Sequence, residues 1–149
     1  DVEFVLIGPL GLGDPKDPGH AAHALAGERN VVLLGPRSQE ALPAFLAHCD
    51  VALLPLLENA HTVSSMPLKL WEYLAAGLSV VARDLPNLRG LADESAIRLY
   101  REPRALVPAL EKALAQSGRG RAERIALASA HGWPGRIREI RARLGDALP

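Results

Sequence analysis

Short runs of apolar residues alternate along the chain with stretches whose apolar positions recur every three to four residues. That alternation predicts strands interleaved with helices, and strands that are unbroken apolar runs suit a parallel sheet covered on both faces. The first run, Val2–Ile7, stops at Gly8, and the stretch GPLGLGDPKDPG from Gly8 to Gly19 is too punctuated by Gly and Pro to be anything but a loop. His20–Ala26 is a short helix at most. A second strand over Val31–Leu34 is closed by Gly35-Pro36, and Ser38 is placed to cap a helix whose stripe is Leu42, Phe45 and Leu46. Asp50–Leu54 is the third strand, stopped by Pro55, and a polar loop runs on to Ser65. Pro67 suits a first helical turn, where its missing N–H would be unpaired anyway. That helix continues to Ala76 and ends at Gly77, and Leu78–Ala82 is the fourth strand.

Further on the pattern weakens. Ile97–Tyr100 is a short fifth strand, and Leu106–Ala115 is a helix with Leu106, Leu110 and Leu114 along one face. Gly118–Gly120 has the composition of a hinge. Arg121–Ala130 and Pro134–Leu144 are two more helices. In the last, continued to Leu148, Ile137, Ile140, Leu144 and Leu148 make one apolar stripe, with Arg136, Arg138, Arg141 and Arg143 largely off it.

Composition narrows the classes. A chain of 149 residues with 48% hydrophobic and 23% charged residues fits one soluble domain. Lys+Arg and Asp+Glu balance at 17 each, so no net field recruits nucleic acid or an anionic membrane. Aromatic residues are too few for a base-stacking surface. Cys49 stands alone, which removes internal disulfides and cysteine metal clusters and favours a reducing, cytoplasmic setting. The histidines are too scattered for a metal triad argument, so no metal is expected. No apolar run nears the ~20 residues a membrane-spanning helix needs. The opening Asp1-Val2-Glu3 leads straight into a strand pattern, which suggests a fragment of something longer with no signal peptide. The wealth of Ala, Leu, Arg and Gly looks like genomic base composition of a bacterial kind.

Two segments echo nucleotide-binding motifs. Gly8 to Gly13 imitates a dinucleotide fingerprint, but Lys16 stands where Gly is needed and Pro15 and Pro18 interrupt the helix. No acidic residue closes the second strand to hold a ribose. No GxxxxGK[ST] occurs, which excludes a P-loop. The informative run is Ser64 to Gly77, SSMPLKLWEYLAAG. It offers a helix N-terminus at the carboxyl edge of a parallel sheet, where free backbone N–H groups and the helix dipole attract an anion. Ser64 and Ser65 can add hydroxyl donors, and Lys69 a positive charge. Glu72 lies three residues beyond Lys69 on the same face, placed to accept hydrogen bonds from both hydroxyls of a ribose. The plainer alternative is that Lys69 and Glu72 form a solvated ion pair of little worth, with Ser65 an ordinary cap. His61 in the preceding loop is more simply solvated than a ligand, and Trp71 and Tyr73 are packing residues.

The run PLKLWEYLAAGLSVVA resembles the signature of the large retaining GT-B glycosyltransferases known as family 4. NVVLLGPRSQEALPAFLAHCDVALLP before it, and His131-Gly132-Trp133 ahead of the last helix, resemble flanking family segments, so the likeness spans most of residues 30–145. The resemblance implies an α/β, Rossmann-like parallel sheet flanked by helices, the C-terminal half of a GT-B fold. It implies one nucleotide-sugar-binding domain over 1–149, with 133–149 as a helix that crosses back to a separate acceptor domain.

The family places two glutamates around the donor, and the second binds the nucleotide ribose; Glu72 matches it. Counting back eight residues for the first lands on Ser64, so the pattern is broken, and Glu58 could substitute only if the intervening loop carries an insertion. Gly35-Pro36-Arg37 is implied near the nucleobase, though Arg37 is equally well an exposed loop residue. The family also begins this domain with a further strand and helix, whose loop brings basic residues to the donor phosphates; nothing here corresponds.

The expectation is a hexosyltransferase-like domain that binds a nucleotide-sugar for transfer to a hydroxyl acceptor with retention. It needs no cofactor and no metal, with diphosphate near Pro67 and ribose at Glu72, and no catalytic residue is assigned. Without its acceptor half the fragment is expected to be inactive, and to hide the stripe of its last helix in a homodimer or against its own domain. The alternatives are a non-catalytic sugar-nucleotide-binding module, favoured by the broken glutamate pattern, or a GT-B nucleotide-sugar epimerase, which lacks a visible acid–base pair.

Overall fold

The computed structural model describes residues 2–9, 25, 27–93 and 95–145. The loop expected over 8–19, the helix expected over 20–26 and the end of the apolar stripe at Leu148 lie mostly or wholly outside them. The chain is an α/β protein of Rossmann-like type, with parallel sheets and flanking helices. It divides into two compact units, Asp1–Phe45 and Leu46–Pro149.

In the first unit β1 (Phe4–Ile7) pairs in parallel with β2 (Val31–Gly35). The register runs Phe4 to Val31 through Leu6 to Leu33, then slips so that Ile7 faces Gly35. Gly35 takes a left-handed φ of 68°, and its carbonyl accepts from the Gly8 amide at 3.1 Å. Helix α1 (Leu42–Leu46) lies at the sequence position of the division, which falls after Phe45. It starts four residues later than the cap expected at Ser38, whose carbonyl instead closes a turn to the Ala41 amide. Pro43 explains the delay: it is tolerated only in a first turn, so the helix cannot begin well ahead of it.

The second unit carries a three-stranded parallel sheet in the order β3 (Val51–Leu54), β4 (Ser79–Arg83), β5 (Ile97–Tyr100). Side chains alternate across a strand, and the central strand has both faces covered. Val80 and Ala82 point into one apolar cluster and Val81 into another, all with no solvent exposure. The first cluster takes Leu70 and Leu74 from α3 (Leu68–Ala75), Leu88 from α4 (Pro86–Arg89) and Ala128 from α6 (Arg121–Ala130). The second takes Ala109 and Ala113 from α5 (Leu106–Leu114). Burying each such leucine is worth about 1.5–3 kcal/mol.

Two short helices depart from the expected pattern. The polar loop after β3 contains α2 (Ala60–Ser64), nucleated by a capping box in which Asn59 and Thr62 satisfy each other's backbone N–H groups. Helix α4 fills the stretch after β4, with Pro86 in its first turn. Pro67 stands as the residue before α3 and not inside its first turn.

Helix α3 ends as Gly77 predicts. The Leu78 amide reaches back to the Tyr73 carbonyl and the Gly77 amide to Leu74, with Gly77 at φ 80°. The Gly77 carbonyl accepts from Nε of Arg124, a side chain only 2% exposed, whose Nη1 bonds the Ser95 carbonyl at 2.8 Å. A Cβ on Gly77 would run into the Arg121 side chain at 2.5 Å, so glycine is required there for space as well as for conformation. Trp71 of α3 stacks on His131 at the end of α6, ring centroids 4.4 Å apart.

The last helix, α7 (Trp133–Leu144), buries no residue, and Trp133, Ile137, Ile140 and Leu144 are all exposed. The alternative in which it folds down on its own domain is therefore not the arrangement seen. No described helix is long and apolar enough to cross a membrane.

Candidate functional site

The candidate residues of the second unit collect where the chain leaves β3. Because β3 and β4 run in parallel and α3 ends immediately before β4, the Leu68 end of α3 points toward the carboxyl edge of the sheet, the ligand side in open α/β folds. Two amides there, Leu68 and Lys69, have no acceptor among the described residues, while the Leu70 amide is closed onto Pro67 at 3.1 Å. This is the unsatisfied N–H set of a helix start.

Lys69 Nζ lies 3.7 Å from Glu72 Oε2, with both side chains largely exposed. Such a pair contributes little and exchanges readily. Ser64 and Ser65 behave differently from the donors expected: Ser64 Oγ donates to the Ala60 carbonyl at 2.7 Å and Ser65 Oγ to the His61 carbonyl at 2.8 Å. Each hydroxyl here bonds the last turn of α2. His61 is exposed on α2.

Glu58, in the segment after β3, is exposed, and its charge acts on Arg89 at the end of α4. Gly35 and Arg37 belong to the first unit. Arg37 donates to the carbonyl of Pro36 at 2.9 Å and lies over the Phe45 ring at 5.9 Å, as an exposed loop arginine does.

Sequence reasoning missed the residues that hold this region in place. Asn87 of α4 donates through Nδ2 to the carbonyls of Thr62 and Ser65, at 3.0 and 2.6 Å, which ties the end of α2 and the approach to α3 onto α4. Asp84, directly after β4, is buried and accepts from Arg89 Nε and Arg101 Nε, each at 2.7 Å. The hydrogen bond from Arg89 holds its carboxyl below the ordinary aspartate range, against the opposing effect of burial, and Arg101 adds to the lowering. An acidic residue closing an apolar parallel strand, with arginines five and seventeen residues on, was the available signal.

In open α/β units, nucleotides and other ligands bind on the carboxyl side of the sheet, where a free helix start offers its amides. The family described as "Glycosyl transferases group 1" matches residues 1–116, and the chain belongs to that family. It is also 29% identical over 121 residues, 79% of its length, to the Bacillus subtilis (strain 168) protein named "Putative teichuronic acid biosynthesis glycosyltransferase TuaH". The chain spans 29% of the length of that relative.

Proposed function

We propose that this chain is the donor-binding part of a glycosyltransferase that moves a hexose from a nucleotide-sugar to a hydroxyl acceptor with retention. It works in the cytoplasm without a metal or other cofactor. The observation that carries the reading is the pair of open amides at Leu68 and Lys69 beside a loose Lys69–Glu72 pair. In this reading the donor diphosphate sits on those amides near Pro67 and draws Lys69 to itself. Glu72, released, accepts from the ribose hydroxyls. Stabilising the departing diphosphate in this way is electrostatic catalysis by groups already in position. Gly35 and Arg37 are assigned to the nucleobase, and Glu58 to the sugar, on family likeness alone.

The test is a titration with nucleoside diphosphates and with inorganic pyrophosphate. Glu72→Ala should weaken nucleoside diphosphate binding by roughly 1–3 kcal/mol, the scale of hydrogen bonds to a charged group, and leave pyrophosphate unchanged. Equal loss for both ligands, or none for either, makes Glu72 structural and ends the assignment.

A second reading, a non-catalytic sugar-nucleotide-binding module, is favoured by Ser64: it occupies the place of the first family glutamate and turns its hydroxyl to the backbone. Restoring Ser64→Glu separates the two, since a gain of donor hydrolysis or transfer speaks for a weakened enzyme and its absence for a module. We assign the acceptor site to a separate N-terminal domain, so the chain by itself should transfer no sugar. The exposed stripe of α7 is the face for that domain, or for a second copy of the chain where the domain is absent.

A further inference from the structure

The cluster of Asp84, Arg89 and Arg101 is given no role in the reading above, beyond the charge of Glu58 that acts on Arg89. Asp84 follows β4, and its amide donates to the Tyr100 carbonyl at 2.8 Å, so the carboxylate is anchored between the ends of β4 and β5. Its side chain is only 6% exposed. Oδ1 accepts from Arg89 and Oδ2 from Arg101, in each case through Nε alone.

An arginine that serves only to neutralise a carboxylate does so best with its two-pronged fork. Here neither fork is used that way. The Nη groups of both arginines have no acceptor among the described residues, on side chains 55% and 82% exposed. One carboxylate balances one guanidinium, so the triad keeps a positive charge. Of the neighbouring acids, Glu102 is engaged by Arg104 at 2.6 Å, and Glu58 acts on Arg89 without forming an ion pair with it. The two Nε atoms can be no farther apart than two 2.7 Å bonds and the width of one carboxylate, which keeps both guanidiniums within reach of one tetrahedral anion.

We propose that Arg89 and Arg101, oriented by Asp84, form an oxyanion site at the carboxyl edge of the second sheet that takes a phosphoryl group of a small-molecule ligand. A phosphoryl group offers three oxygens to two separate guanidiniums, where a carboxylate offers two in one plane. The site does not depend on Glu72 or on the start of α3.

The experiment is a calorimetric titration of the chain with inorganic phosphate, with acetate as the planar competitor. Wild type should bind phosphate, and Arg101→Gln should weaken it about tenfold or more, the scale of losing hydrogen bonds to a charged group. Arg101 is mostly exposed, so this variant should keep its circular dichroism spectrum. Should it unfold, Arg101→Lys keeps the charge without the fork and is expected to weaken phosphate several-fold. Lys112→Gln removes an equal charge from the exposed face of α5, outside the cluster, and should leave the affinity within about twofold. No phosphate binding by wild type, an unchanged affinity in Arg101→Gln or in the folded Arg101→Lys, or acetate bound as tightly as phosphate, overturns the proposal. An affinity unchanged in Arg101→Gln assigns the phosphate to the start of α3 instead, whereas the Glu72 titration compares nucleoside diphosphate with pyrophosphate, so the two assignments are read separately.

Discussion

The two compact units are both built on parallel strands, yet they bury them very differently. In the first, no described residue of β1 or β2 is fully buried, and the pair is held by ladder hydrogen bonds and by the Asn30 side chain reaching the Val2 carbonyl. In the second, β4 lies between two apolar clusters, and Val80, Val81 and Ala82 have no exposure. Among the described residues, apolar strands of the same type thus end in different environments, and strand composition alone does not set burial. Apart from Gly35 and Arg37, the residues proposed to hold a ligand lie on the better-packed unit, whose loops keep polar groups uncompensated because its core holds the frame.

The largest effect should come from cutting that core. Leu74→Ala should cost about 2–5 kcal/mol by chemical denaturation, and Val32→Ala in the first unit under about 1 kcal/mol. Similar losses would erase the distinction between the units. Hydrogen exchange sharpens the same point: the β4 amides should exchange last and those of β1 and β2 well before them.

Next comes Arg124. Its removal leaves the carbonyls of Gly77 and Ser95 without their donor, and Arg124→Met should cost about 1.5–3 kcal/mol. A neutral result would mean that desolvating the guanidinium offsets both bonds.

Asp84 sets a smaller and pH-dependent effect. Its folded carboxyl titrates below the unfolded one, so its contribution is present above the ordinary aspartate range and is lost as pH falls through the depressed value. Wild type should lose stability on that acid limb more steeply than Asp84→Asn. Parallel curves would show that the two arginines do not act through this carboxylate.

The smallest change in stability, within about 0.5 kcal/mol, is expected for Ile140→Glu on α7. Light scattering should nonetheless show a dimer that this substitution separates into folded monomers. A wild-type monomer at all concentrations removes the second-copy role of the stripe.

Much of the frame was legible because it rests on local rules. The strands and the three C-terminal helices follow from apolar period, and the end of α3 from the steric freedom of Gly77. What escaped depended on contacts distant in sequence or on side chains that cap their own backbone. The Asn59–Thr62 box turned an apparent polar loop into α2, and Pro43 overrode Ser38 as the start of α1. Within the candidate site, the proximity of Lys69 and Glu72 was readable from helix spacing, but the inward turn of the Ser64 and Ser65 hydroxyls was not. Neither was the meeting of Asp84, Arg89 and Arg101, which needs the register of β4 on β5.

The stack of Trp71 on His131 also gives the molecule two optically distinct indoles. Trp71 sits half-buried between α3 and α6, against an imidazole, whereas Trp133 is 75% exposed at the start of α7. The first should emit toward the blue and the second toward the red. Separation of α6 from α3 therefore changes one component of the emission, and capture of α7 by another surface changes the other. Trp71 lies one turn into the helix whose start is the proposed diphosphate site, so a ligand there could be followed by the light of the chain itself, with no label attached.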